Sequence, residues 1–110
     1  MTERIVITGM GTVNALGNDV TQTWQNAVNG VSGLGPITHF DASNHLVQYA
    51  CEVKNFDADK YLDQREQRRR DRFQILSAAA VSQAIEQSGL VITEQNAGRI
   101  GSVVSAAIGG

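Results

Sequence analysis

Five arginines, Arg65, Arg68, Arg69, Arg70 and Arg72, fall within eight positions of the stretch REQRRRDRF, although the chain holds only nine Lys+Arg against 11 Asp+Glu. A guanidinium grips carboxylate or phosphate with a planar fork of donors, so this cluster is the strongest chemical signal in the sequence. On a continuous helix Arg65, Arg68, Arg69 and Arg72 lie on one side at spacings of three and four. They also sit near the start of a long helix, where the macrodipole disfavours cations. Glu66 can pair with Arg70 at i,i+4 and Asp71 offsets a little more, which leaves several arginines without an acidic partner. The competing reading is a solvated helix face, the usual meaning of a charge run. An anionic partner fits the surplus charge, but physics alone does not name it. The net charge of −2 gives no global case for nucleic acid.

Other candidate groups are weaker. Cys51 sits mid-strand beside Glu52 with no helix N-terminus to lower its pKa, so a buried structural thiol is expected rather than a nucleophile. His39 and His45 lie in a loop with Asp41 between them and have no partner at metal-ligand spacing, so surface histidines are expected. No positive signal supports a His45–Cys51 dyad. Gly9, Gly11 and Gly17 in ITGMGTVNALG approach a dinucleotide fingerprint, but Asn14 stands where its third glycine belongs and the next helix starts several residues too late. The alternative is that these glycines permit a turn and a close backbone approach.

The elements that must position these groups follow from periodicity. Arg4 to about Thr8 reads as a buried strand. GNDVTQTWQNAVNG reads as a helix capped by Asn18 or Asp19 and ended at Gly30, with Val20, Trp24, Ala27 and Val28 on one face. Val31 to Leu46 reads as loop, and QYACEVK as a half-buried strand. Residues 56–89 read as helical with a break near Asp63 and a stop at Gly89. Phe73, Leu76, Ala80, Ala84 and Gln87 lie along one row there, and Ala78, Ala79 and Ala80 call for close packing. Ile100 to about Ala107 reads as a last strand. The order strand, helix, strand, helix, strand predicts α/β layers with an incomplete sheet. That last strand stops at Gly109–Gly110 with an edge unpaired, so the chain is expected to be a truncated piece of a longer protein.

Composition sets the frame. The 110 residues suit one small domain, with 42% hydrophobic and 18% charged content typical of globular chains. The one Cys excludes an internal disulfide. No apolar stretch approaches a secretory signal or a membrane span, so a cytoplasmic location is expected.

RIVITGMGTVNALGN, TWQNAVNGVSGLGPITHFDAS, EQRRRDRF and GLVITEQNAGRIGSVVSAAIGG together resemble the N-terminal part of a β-ketoacyl-acyl-carrier-protein synthase, most like the type II elongating enzymes of bacterial fatty-acid synthesis. Modular polyketide ketosynthases share part of the pattern. The resemblance implies the opening portion of a thiolase-like α/β half, with residues 1–110 as the first part of the N-terminal domain and no second domain present. It implies an acyltransferase that catalyses decarboxylative Claisen condensation without cofactor or metal, acting as a homodimer when complete. The family's catalytic Cys and two His match no residue here, so no catalytic residue is expected and the piece should be inactive alone. Ile108 matches a position lining the acyl-chain pocket, and Arg65, Arg68 and Arg69 match positions that dock the acidic acyl carrier protein. The alternatives are a stand-alone module that binds an acidic carrier protein through Arg65–Arg72 and a nucleotide-binding α/β domain using Gly9 and Gly11.

Overall fold

The computed structural model describes residues 2–109. The chain divides into two compact units, Thr12–Asp57 and the combination of Met1–Gly11 with Ala58–Gly110.

Within Thr12–Asp57 the organising element is helix α1, Val20–Val28. Asp19 caps it, its carboxylate accepting from the Gln22 N–H at 2.7 Å. Asn29 closes the helix, and Gly30 follows at φ 68°, so the expected glycine stop holds. Asn14 fixes the preceding turn. Its amide donates to the hydroxyls of Thr12 and Thr23, each at 3.0 Å, and its oxygen accepts from the N–H groups of Leu16 and Gly17. The only sheet among the described residues pairs two antiparallel strands, β1 (Gly35–Pro36) and β2 (Tyr49–Ala50). β1 falls in the stretch expected as loop, and β2 occupies only part of the strand expected across QYACEVK.

Glu52 fastens this hairpin. Its carboxylate accepts from the Thr38 hydroxyl at 2.7 Å and from the N–H groups of Thr38 and His39. The Thr38 hydroxyl bond is the main cause that holds the Glu52 pKa below the usual glutamate range; partial desolvation opposes it, and the two backbone donors and the His39 imidazole add to the lowering.

The second unit is built on helix α3, Arg72–Ser88. A 3-10 turn at Ala58–Lys60 and the one-turn helix α2, Gln64–Gln67, precede it. The expected break near Asp63 is present, because Asp63 caps α2 with a bond to the Glu66 N–H at 2.8 Å. A second break, not expected, comes at Asp71, whose backbone is extended (φ −72°, ψ 157°). Its N–H donates to the Gln74 side chain at 3.1 Å, one half of a capping box. Gly89 ends α3 in the left-handed region.

Ala79 on α3 is fully buried, and the small residues around it admit backbone. A Cβ built on Gly11 would lie 1.9 Å from the Ala80 carbonyl oxygen, and one on Gly9 would lie 2.1 Å from that of Ala84. The N-terminal segment therefore lies directly against the helix backbone, held also by the Met10 N–H donating to Gln87 Oε1 at 2.6 Å.

The strands expected at Arg4–Thr8 and Ile100–Ala107 are not formed among the described residues. A strand is defined by its ladder, and no described segment pairs with either one. Ile5 and Val103 are each 97% exposed, and Ile7 and Val104 are also open. Apolar runs of this kind suit burial on both faces of a sheet. Cys51, expected to be buried, is exposed, because β2 ends before it and nothing described packs over its face.

Two outcomes follow. In the complete protein Gly11→Ala should cost about 1–3 kcal/mol by overpacking, whereas Gly98→Ala, with nothing within 4 Å of its Cβ, should leave the denaturation midpoint almost unchanged; equal effects would remove the close-approach account. The Glu52 clamp should show in the pH dependence of stability. A depressed folded-state pKa stabilises above the unfolded value and loses that contribution as pH falls through the folded one. The stability gap between the parent and Glu52→Gln should therefore be fully open above the ordinary glutamate value of about 4.3 and narrow as pH falls below it; a constant gap would show that the carboxylate charge plays no part.

Candidate functional site

The arginine cluster occupies the junction of α2 and α3. Arg65 lies within α2, Arg68 is its C-cap, Arg69 and Arg70 form the connecting turn, and Arg72 opens α3. All five side chains are exposed. The expected single stripe does not hold across this junction. The Arg68 N–H still donates to the Gln64 carbonyl at 3.2 Å and that of Arg69 to the Glu66 carbonyl at 3.1 Å, so helical spacing relates Arg65, Arg68 and Arg69. The extended backbone at Asp71 then takes Arg72 out of that register.

The break also corrects the dipole argument. Arg68 and Arg69 stand at the C-terminal end of α2, where a cation is favoured in sign. Only Arg72 lies in the first turn of α3. A four-residue helix has little dipole, so the cluster is neither strained nor strongly supported by helix electrostatics.

Arg70 is neutralised as expected. Its Nη2 and Nε donate to Glu66 Oε2 at 2.7 and 3.2 Å, an i,i+4 pair. Arg65, Arg68, Arg69 and Arg72 make no ion pair among the described residues. Beside them Arg68 lines an open groove of about 380 Å³ with Asp59, Gln64, Gln67 and Ile75. Gln67 spans that groove, donating to Asp59 Oδ1 at 2.8 Å and to the Leu62 carbonyl at 2.7 Å. Unpaired, exposed guanidinium groups on a polar surface suit an acidic macromolecular partner more than a small enclosed substrate.

Ile108 is 90% exposed. The apolar groove on its unit, about 350 Å³, is lined by Phe73, Ala78, Val81 and Val104 with Ser and Gln neighbours, and Ile108 is not among them.

The nucleotide-binding alternative loses its geometry. Gly9 and Gly11 serve close approach to α3, and neither has a positive φ. Asn14 spends its amide on the turn, and the carboxylate of Asp19 already occupies the N-terminus of α1. An acid there repels phosphate. His45 packs edge-on against the Phe40 ring at 5.6 Å, and His39 stands 3.9 Å from Glu52, so both histidines make structural contacts. Among the described residues no group of three or more His, Cys, Asp or Glu stands together, and no helix is long and apolar enough to cross a membrane.

The family described as β-ketoacyl synthase, N-terminal domain, matches residues 2–110. The chain is 44% identical over 108 residues to a protein named 3-oxoacyl-[acyl-carrier-protein] synthase 2 from Synechocystis sp., covering 98% of this chain and 26% of that one. Proteins of the same name from Staphylococcus aureus and Vibrio harveyi are 43% and 42% identical, over 98% and 97% of this chain and again 26% of theirs. The chain thus spans about a quarter of the length of these relatives. Among solved structures, one titled the ishigamide ketosynthase/chain length factor superposes with a TM-score of 0.72 at 29% identity, covering 78% of this chain and 21% of that one. A ketosynthase neighbour fits the α/β layering expected of this segment. The chain belongs to the β-ketoacyl synthase family, whose N-terminal domain it matches over residues 2–110.

Proposed function

We propose that this segment, residues 1–110, is the first part of the N-terminal domain of a 3-oxoacyl-acyl-carrier-protein synthase that elongates fatty acids in the cytoplasm as a homodimer. The observation that carries the reading is the family match over residues 2–110, joined to relatives whose names specify that activity. The complete enzyme transfers an acyl chain from its carrier to a thiolate nucleophile, and a malonyl thioester then loses carbon dioxide and attacks that acyl group. The groups for this chemistry lie outside these residues. Cys51 is exposed, the neighbouring Glu52 carboxylate is held by Thr38 and His39, and His39 and His45 contact Glu52 and Phe40.

Two peripheral roles fall to this segment. Arg65, Arg68 and Arg69 receive the acidic carrier protein, and Ile108 contributes to the wall of the acyl pocket. No cofactor, metal, nucleic acid or membrane is required. A stand-alone carrier-binding module is disfavoured by the exposure of Ile5, Ile7 and Val103, which leaves these apolar runs without cover.

In the complete enzyme, Arg68→Glu combined with Arg69→Glu should weaken carrier-protein binding about tenfold to a hundredfold at low salt. The loss should fall mainly on the association rate and shrink as salt rises. Turnover of short pantetheine thioesters should hardly change. Equal loss with both substrates would show damage to the fold or active centre, and no loss with either would return the cluster to an ordinary solvated surface.

A further inference from the structure

Phe73 joins two features that the functional reading treats separately. It is the second residue of α3, directly after Arg72 and four after Arg69. Its backbone is fixed by the cap at Asp71, where the N–H is held by Gln74. Its ring is partly buried and forms one wall of the groove completed by Ala78, Val81 and Val104. The ring also lies close to the backbone at Gly109. A Cβ built on Gly109 would lie 3.3 Å from Phe73 Cζ and 3.6 Å from Cε1. The missing side chain at Gly109 therefore lets the backbone settle on the ring edge, closer than another residue could sit without moving it.

That contact reaches Ile108 through one peptide link. Successive Cα atoms are held at a fixed spacing by the planar trans peptide, so a shift of Gly109 is passed to its neighbour. Ile108 is β-branched and stiff at χ1, so its methyl groups follow the backbone rather than relax independently. Ile108 makes few contacts of its own, being 90% exposed. The Phe73 ring is the neighbour that a side chain at Gly109 would meet.

We propose that Phe73 is a specificity-positioning residue: by bracing Gly109 it sets how far Ile108 projects, and so the length of acyl chain the enzyme accepts. The proposal rests on the reading that Ile108 lines the acyl pocket. Phe73 does not touch the substrate and acts only through Gly109. A smaller residue at position 73 lets Gly109 settle inward and Ile108 recede, which lengthens the space for the chain. A side chain at position 109 presses on the ring and drives Ile108 the other way.

The test uses the complete enzyme and a series of acyl-pantetheine thioesters of increasing length, which bypass carrier docking. Phe73→Leu should move the ratio of kcat/KM between two acyl lengths differing by two carbons about tenfold toward the longer, the scale on which small volume changes in an apolar pocket discriminate. Gly109→Ala should move it toward the shorter chain, and the double variant should return toward the parent ratio. Carrier-protein affinity should not change, because the arginines remain. Ile108→Phe serves as the control and should shorten the longest chain accepted.

A shift in Ile108→Phe without one in Phe73→Leu or Gly109→Ala would overturn this proposal while leaving the pocket reading intact. No shift in any variant would overturn both. Activity lost equally at every chain length, with a lowered melting temperature, would show that Phe73 merely supports the fold and would also overturn the proposal. If Phe73→Leu fails to fold, Phe73→Met and Gly109→Ala read the same contact from its two sides.

Discussion

The approach of one backbone to another, Gly9 and Gly11 against the Ala80–Ala84 turn of α3, is the constraint on which the larger unit depends. No large side chain is fully buried among the described residues, and only Ala42 and Ala79 count as buried apolar residues. With so little side-chain core, cohesion must come from surfaces that meet without intervening atoms, where many weak dispersion contacts accumulate. Alanines at 79, 80 and 84 expose the helix backbone, and glycines at 9 and 11 let the partner strand of chain reach it. The Met10–Gln87 hydrogen bond fixes the register of that meeting.

What this contact does not cover is equally informative. Ile5, Ile7, Val103 and Val104 lie open on segments whose composition is that of interior strands. Their pattern is written for a sheet larger than the two short strands formed here. The relatives extend over roughly four times this length, since the segment covers 26% of each. The apolar residues at positions 4–8 and at Ile100, Val103 and Val104 thus have the composition of strands, but no described segment pairs with them.

This explains which features were legible. Signals carried by a few adjacent residues came through: the Asp19 cap, the glycine stops at Gly30 and Gly89, the Asp63 break, the Glu66–Arg70 pair and the close packing of Ala78–Ala80. Signals that need a distant partner did not. The strand at Arg4–Thr8 lacks a ladder, and the burial expected of Cys51 requires a layer over β2. The Asp71 break was missed because RRRDRF keeps helical composition through it. An Asp followed three residues later by Gln74 is nonetheless a capping-box spacing, and that was the available signal. In the candidate site the cluster itself was legible, but its single-stripe geometry failed with the helix that was to carry it.

The same break gives the arginine cluster its physical character. Like charges on one continuous helix would repel at i,i+4 spacing. Asp71 divides them between two helix ends, so Arg68 and Arg69 finish one turn while Arg72 begins another. Water surrounds all of them, and the repulsion is screened over roughly 8–10 Å at moderate ionic strength. Glu66 and Asp71 provide local relief, yet only Arg70 is taken up in an ion pair. The remaining charges are neither buried nor consumed by the fold. Their field is therefore directed to solvent, where its natural consequence is to steer an acidic surface during encounter. Phe73 lies within the first turn of α3, one residue after Arg72, so the part of the cluster carried by α3 is joined directly to a partly buried ring, whereas Arg68 and Arg69 are separated from it by the turn at Asp71.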